Sequence, residues 1–281
     1  MTTRADTDVE SRRAAERARY GAELEKVTGR RGLLDRAVPV VVRLATLVVG
    51  WRVVVDGLAD IPRDATGRVV PCVVAAAPHR GWPDPLLVVL AWPRDAPRLT
   101  WFGDEVTMTS SWWRRRLLPR LGMIPIPARP SAAAVHEHLE AARGVLSRGC
   151  CLVVFVEKGP PSPRGRTRTI APGAAWLAGA GGVPIVPVAL GGFLDTGLGT
   201  RFRVRFLPPI APPGPAGTAP ERPPASRDRL SASESRLAVH ESRVATAALA
   251  AALAGPVAEL EAWTLATNGQ RPMPGLRRLF R

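Results

Sequence analysis

A histidine and an aspartate lie five residues apart, at His79 and Asp84, in a short turn-like segment. These residue types suit proton transfer. A carboxylate that accepts a hydrogen bond from one imidazole nitrogen fixes the tautomer and stabilises the imidazolium, and the other nitrogen is then free to take a proton from a hydroxyl. A purely structural interpretation is also available, in which Asp84 begins a helix and His79 is an ordinary loop residue. The spacing alone leaves both interpretations open.

The elements on either side of this turn are predicted to bring the two side chains together. The apolar run at residues 69–77 is typical of a fully buried strand, and the apolar run at residues 85–92 follows an Asp-Pro pair that suits the first turn of a helix. A Gly-Trp-Pro sequence between the runs lets the chain fold back. The sequence therefore places Asp84 near His79 where a strand gives way to a helix.

Strands and helices are predicted to alternate along much of the chain. Helical patterns cover residues 112–121, 131–147 and 173–180, and strand-like patterns cover residues 52–55, 98–102, 151–156, 183–190 and 202–207. Strands separated by helices need crossover connections. We therefore expect an α/β fold, with a mostly parallel central sheet flanked by helices and ligands near the strand ends.

Three parts of the chain are distinguished by composition. Residues 1–50 comprise a charged arm and an apolar helix, residues 51–209 the α/β domain, and residues 210–281 a Pro-rich linker with a C-terminal helix. The apolar helix is too interrupted to span a bilayer, because its longest uncharged stretch is the eight residues Leu44 to Trp51 and a span needs about 20. It is predicted either to lie in a membrane interface or to dock on the core.

The net charge and the cysteines indicate which partners and which cellular compartment to expect. The net charge of +15 favours anionic partners such as acidic head groups or phosphate-bearing substrates. Almost all basic residues are arginine, which suggests a coding bias and weakens any inference from charge. Nucleic-acid binding would rest on charge alone, and we predict no nucleic-acid partner. The three cysteines lie in apolar runs and lack metal-ligand spacing, which favours reduced thiols in a cytosolic protein. The pair His136 and His138 is expected to lie on a solvated helix, so no metal site is predicted.

Four segments in a fixed order resemble the glycerolipid acyltransferases, the family of the lysophosphatidate (1-acylglycerol-3-phosphate) acyltransferases. The first is the His79 to Asp84 turn with its Pro-Leu-Leu tail, and the second is Gly122-Met-Ile-Pro-Ile-Pro-Ala-Arg129. The third is Phe155-Val-Glu157-Lys-Gly, and the fourth is Val-Pro-Ile-Val-Pro-Val at residues 183–188. The resemblance covers roughly residues 51–208.

The resemblance implies transfer of an acyl group from a coenzyme A or acyl-carrier-protein thioester to a hydroxyl of a lysophospholipid or related acceptor. His79 would be the base and Asp84 its orienting partner. Backbone N–H groups near Gly81 or the second motif would stabilise the oxyanion. No cofactor is implied beyond the thioester substrate. The predicted substrate-binding residues are Gly122, Arg129, Glu157, Arg164 and Arg166.

Two of the motifs depart from the usual pattern. Arg129 comes one position late, and Glu157 is followed by Lys-Gly where the family has Gly-Thr. A second hypothesis follows, in which the protein keeps the fold as a lipid-binding or scaffold protein without the activity. In either case we expect an anionic membrane surface as partner, and a peripheral or shallowly inserted position on the cytoplasmic face of the membrane.

Overall fold

A computed structural model describes Glu25 and residues 33–81, 83–106, 110–126, 132–157, 169–192, 198–212 and 232–268 of the chain. Within these ranges the strands are β1 (Arg52–Asp56), β2 (Val73–Ala77), β3 (Leu99–Asp104), β4 (Met123–Ile126), β5 (Cys151–Phe155), β6 (Ile185–Gly191) and β7 (Arg201–Phe206). The helices are α1 (Leu33–Val48), α2 (Pro83–Ala91), α3 (Trp112–Leu121), α4 (Ala132–Ser147), α5 (Gly173–Gly181) and α6 (Ala232–Asn268). A short 3₁₀ turn, Leu58–Asp60, follows β1.

These strands form one seven-stranded sheet in the order β1-β7-β6-β2-β5-β3-β4. Neighbouring strands are parallel except β6 and β7, which are antiparallel. The predicted α/β fold with a mostly parallel sheet flanked by helices is therefore confirmed. Strand β2 is central, between β6 and β5, and its five residues are all fully buried. A strand covered on both faces reads as a continuous apolar run, as residues 73–77 do.

Helices cover both faces of the sheet. Alternate residues of β2 point to opposite sides: Val73 packs in a core with α4, α5 and α6, whereas Val74 packs in a second core with α1, α2 and α3. The fold thus has three layers, and the carboxyl end of β2 emerges between the two helical layers. This edge is where ligands bind in open α/β sheets.

Helix α6 packs along the first of these cores. A stripe at helical spacing is buried there, formed by Ala245, Leu249, Leu253, Val257 and Leu260. Over His240–Thr267 this helix is also long and apolar enough to cross a membrane, by length and composition only. The packing of its apolar stripe against the sheet accounts for those residues without a bilayer. Apart from Glu25, the charged arm before α1 lies outside the described residues, as do most of the Pro-rich linker and the C-terminal tip.

Helix α1 has one docked and one exposed face. Val42 and Thr46 are buried, and the Arg43 guanidinium donates a hydrogen bond of 3.0 Å to the carbonyl oxygen of Leu90. The opposite face exposes a run of apolar side chains: Val40, Val41, Leu44, Leu47 and Val48. The docked face agrees with the core-docking interpretation of this helix. No packing contact within the described part of the chain covers the apolar residues of the exposed face.

Candidate active site

His79 and Asp84 meet at the carboxyl edge of the sheet. Strand β2 ends at Ala77, and Asp84 lies in the first turn of α2. The imidazole Nδ1 and the carboxylate Oδ2 are 2.8 Å apart; Asp84 is fully buried, while the His79 side chain is 45% exposed. Because an ionised carboxylate can only accept hydrogen bonds, Nδ1 carries the hydrogen and the lone pair of a neutral imidazole is then on Nε2.

The backbone of the turn holds the same carboxylate oxygen. Asp84 Oδ2 also accepts hydrogen bonds from the N–H groups of Arg80, at 2.6 Å, and Gly81, at 2.9 Å. These donors offset the cost of burying a charge. The N–H of Gly81 itself donates to Asp84, and the expectation that N–H groups near Gly81 or in the second motif stabilise an oxyanion stays a prediction.

Two residues at the end of β5 contact His79. Since β5 pairs with β2 in parallel, its end reaches the same edge of the sheet. The Phe155 ring stacks on the His79 ring, with centroids 4.3 Å apart and planes inclined by 24°. Glu157 Oε2 accepts a hydrogen bond of 3.2 Å from the N–H of His79. The ring and the backbone of His79 are therefore both restrained from the neighbouring strand.

These contacts were not anticipated from the sequence, which assigned Glu157 to the acceptor substrate. Knowledge that β5 lies beside β2 would have indicated these contacts, because the carboxyl ends of adjacent parallel strands lie side by side. Glu157 Oε1 is buried and has no hydrogen-bond partner among the described residues. A buried carboxylate oxygen without a donor is a place where a hydroxyl of a ligand would be favourable.

Of the remaining predicted substrate-binding residues, only Gly122 lies in the described part of the chain. Gly122 ends α3 with φ of +118°, and a Cβ atom there would lie 2.2 Å from the carbonyl oxygen of Leu99. A positive φ and this close approach explain why glycine is needed. Arg129, Arg164 and Arg166 lie outside the described residues.

A largely apolar cavity of about 280 Å³ lies beside His79. Helices α1, α2 and α3 and the ends of β3 and β5 enclose it, and its walls include Val42, Leu86, Trp101, Leu117, Met123 and Phe155. Asp104 and Arg114 add polar groups to the lining. The sequence did not predict this cavity, because its walls come from segments far apart in the chain. The half-exposed imidazole is thus part of the wall of an apolar chamber.

Comparison with known proteins gives a family for this fold and site. Residues 52–191, about half of the chain, match the family model described as acyltransferase, and they contain the His79–Asp84 pair, Glu157 and most of the sheet. No curated protein matches the chain significantly. Among solved structures, the chain is similar to the 1-acyl-sn-glycerophosphate (LPA) acyltransferase PlsC from Thermotoga maritima, with 18% identity over 86% of this chain and 96% of that one and a TM-score of 0.46. The chain therefore belongs to the acyltransferase family that its four motifs indicated.

Proposed function

We propose that this acyltransferase moves an acyl group from an acyl-coenzyme A or acyl-carrier-protein thioester to a hydroxyl of a lysophospholipid or a related acceptor. The observation that carries the proposal is the His79–Asp84 pair in the wall of an apolar cavity. The pair supplies a base for the hydroxyl, and the cavity supplies an apolar environment of the kind that an acyl chain requires. Membership of the acyltransferase family supports the reaction class.

In this mechanism Nε2 of His79 takes the proton of the acceptor hydroxyl as its oxygen attacks the thioester carbonyl. Asp84 holds the ring through Nδ1 and stabilises the imidazolium that forms. The tetrahedral intermediate then collapses to the ester and expels the thiolate, which receives the proton from the imidazolium. The stacked ring of Phe155 and the Glu157 contact to the His79 N–H fix the direction in which Nε2 points.

The polar groups near His79 indicate which class of acceptor the site suits. The buried Oε1 of Glu157 suits a second hydroxyl of a glycerol-like acceptor, because it is an acceptor atom without a donor among the described residues. A glycerol-phosphate-like acceptor has such a second hydroxyl, whereas lysophosphatidate has only the one that is acylated and would not use this contact. For either acceptor, Arg129, Arg164 and Arg166 are the proposed ligands of the phosphate. A glycolipid acceptor would use the same Glu157 contact without these arginines.

We also propose that the exposed face of α1 docks on an anionic membrane surface on the cytoplasmic side. Helix α1 packs against α3, which carries Arg114, Arg115, Arg116 and Arg120 and the exposed Trp112. Apolar side chains flanked by arginine and tryptophan are typical of helices that lie at the head-group level. Both helices also line the cavity, so a lipid substrate leaving the membrane would have a short path to His79.

The test of the reaction is thiol release from acyl-coenzyme A or acyl-carrier protein with a panel of acceptors that includes lysophosphatidate, other lysophospholipids and a glycolipid. We expect His79→Ala to lower turnover about 10³-fold, the effect of removing a positioned base. Its circular dichroism spectrum should match that of the wild type, because the side chain is half-exposed. Wild-type turnover in this variant would refute the mechanism. Lipid binding by the wild type without transfer to any acceptor would favour the lipid-binding alternative.

A further inference from the structure

Arg80 links the turn of the site to the C-terminal helix. Its backbone N–H donates to Asp84 Oδ2 at 2.6 Å, and its guanidinium forms an ion pair with Glu261 of α6. The exposed fractions of the two side chains are 15% and 20%, so this pair is largely shielded from solvent. Solvent screening is weaker for such a pair than for one on the open surface. The same residue therefore holds the Asp84 carboxylate with its backbone and α6 with its side chain.

The turn of α6 that carries Glu261 is itself fixed at the ends of β6 and β7. Leu260 is fully buried, and the Thr264 hydroxyl accepts a hydrogen bond of 2.7 Å from the N–H of Gly192, just after β6. Glu259 forms two hydrogen bonds with Arg205 of β7, at 2.6 and 2.9 Å. Gly191 also lets this turn approach closely, since a Cβ there would meet Leu260 at 3.1 Å. Glu261 is thus held by its neighbours in a defined position.

The sheet explains why this turn of α6 is close to His79. Strand β6 is the parallel neighbour of β2, so its carboxyl end and that of β2 lie side by side. Helix α6 is anchored at the first of these ends and His79 follows the second. The matched family region ends at residue 191, so α6 lies beyond it in the chain although it reaches the site in space.

We propose that Glu261 is a positioning residue of the active site, which acts through Arg80 to hold the turn that aligns Asp84 and His79. The inference rests on the proposed function, because it takes the His79–Asp84 pair to be the reacting base. Without the carboxylate of Glu261, the Arg80 side chain loses this ion pair and the turn gains freedom. The Arg80 N–H then no longer holds Asp84 Oδ2 in one place. Misalignment of the base lowers the rate of the chemical step more than it changes substrate binding.

The experiment compares Glu261→Gln, Arg80→Gln and the double variant in the thiol-release assay, with His79→Ala measured alongside. We expect each single variant to lower kcat about tenfold with KM within about twofold. The kcat of the double variant should be no lower than that of the more impaired single variant, because both substitutions remove the same contact. Glu261→Asp, which keeps the charge with a shorter reach, should recover part of the kcat. Glu140→Gln is the matched control, since it is the same substitution and removes a Glu–Arg ion pair, with Arg143, on α4.

The outcomes separate this inference from the proposed function. Wild-type kcat in Glu261→Gln together with loss of turnover in His79→Ala would overturn the role of Glu261 alone. Wild-type turnover in His79→Ala would overturn the proposed base itself. Additive losses in the double variant would show that Arg80 and Glu261 do not act through one contact, and an equal loss of kcat in Glu140→Gln would show that the loss reflects general stability. Unfolding midpoints measured on all variants identify any loss of folded protein.

Discussion

Asp84 Oδ2 is the most heavily bonded atom of the site, with donors from His79 Nδ1, the Arg80 N–H and the Gly81 N–H. A neutral amide is a weaker acceptor than a carboxylate and carries no charge to stabilise an imidazolium. At the scale of single residues, the charge on Asp84 is therefore the feature that we expect the reaction to depend on most, after the base itself.

We predict that Asp84→Asn lowers kcat by about 10³-fold, equivalent to ~4 kcal/mol of transition-state stabilisation. The amide would no longer favour hydrogen on Nδ1, and the imidazolium would lose its counter-charge. Steady-state kinetics with a saturating thioester donor measure the effect. A loss of less than about threefold would show that the pair is structural.

Asp64 provides a matched control for this substitution. Its Oδ1 also accepts three hydrogen bonds from its own turn, from the N–H and hydroxyl of Thr66 and the N–H of Arg68. The Thr66 and Arg68 hydrogen bonds lower the pKa of the Asp64 carboxyl. This turn is exposed and contains no histidine, so Asp64→Asn should leave kcat unchanged.

At the scale of elements, helices α1, α2 and α3 and the ends of β3 and β5 form a chamber that none of them encloses alone. Leu86 of α2 and Leu117 of α3 line it together with Val42 of α1. The volume of the cavity that we propose for the acyl chain is therefore set by how these helices pack against each other. A larger side chain on one of them should change which chains fit.

We predict that Leu117→Trp shifts the preference of the enzyme toward shorter acyl donors. The larger ring fills part of the cavity, so kcat/KM for long-chain donors should fall about tenfold relative to short-chain donors. A donor series of increasing chain length measures the shift. Leu58→Trp, at an exposed position outside the lining, is the control and should leave the series unchanged. An unchanged series for Leu117→Trp would place the acyl chain elsewhere.

At the scale of the whole molecule, the two helical layers differ in which apolar residues they expose. One layer presents the apolar face of α1 beside the arginines of α3, and the other presents α6, which is apolar enough to cross a bilayer by composition. The apolar stripe of α6, Ala245 to Leu260, is buried in the core, whereas the exposed face of α1 is not buried. The chamber beside His79 is also lined by the helices of the α1 layer.

We predict that Leu44→Asp with Leu47→Asp lowers binding to vesicles of anionic phospholipid at least about tenfold. Two side chains that would enter the membrane interface then carry a negative charge, which opposes insertion and repels the anionic head groups. Vesicle sedimentation at increasing salt concentration measures the binding. The matched control is Val244→Asp with Leu265→Asp on α6: the first pair is 57% and 67% exposed, and this pair 58% and 45%. Loss of binding in the α6 variant alone would assign the membrane contact to that helix.

The local pattern of the sequence determined much of this protein. The buried strand before His79, the helix that begins near Asp84 and the alternation that predicts a parallel sheet are all properties of short segments, set by periodicity and by the preferences of Pro, Gly and Asp. The four motifs in order indicated the family, which the family model confirms. The approach of Asp84 to His79 followed from the same local turn.

Only the tertiary structure decided what surrounds that pair. The contacts of Phe155 and Glu157 with His79 depend on β5 lying beside β2, and the pairing of Arg80 with Glu261 joins residues 181 positions apart. The chamber is likewise shared by helices from separate parts of the chain. Periodicity records which face of an element is buried but not which element covers it. The physical reason is that neighbours in the sheet and across its layers are chosen by packing of the whole chain.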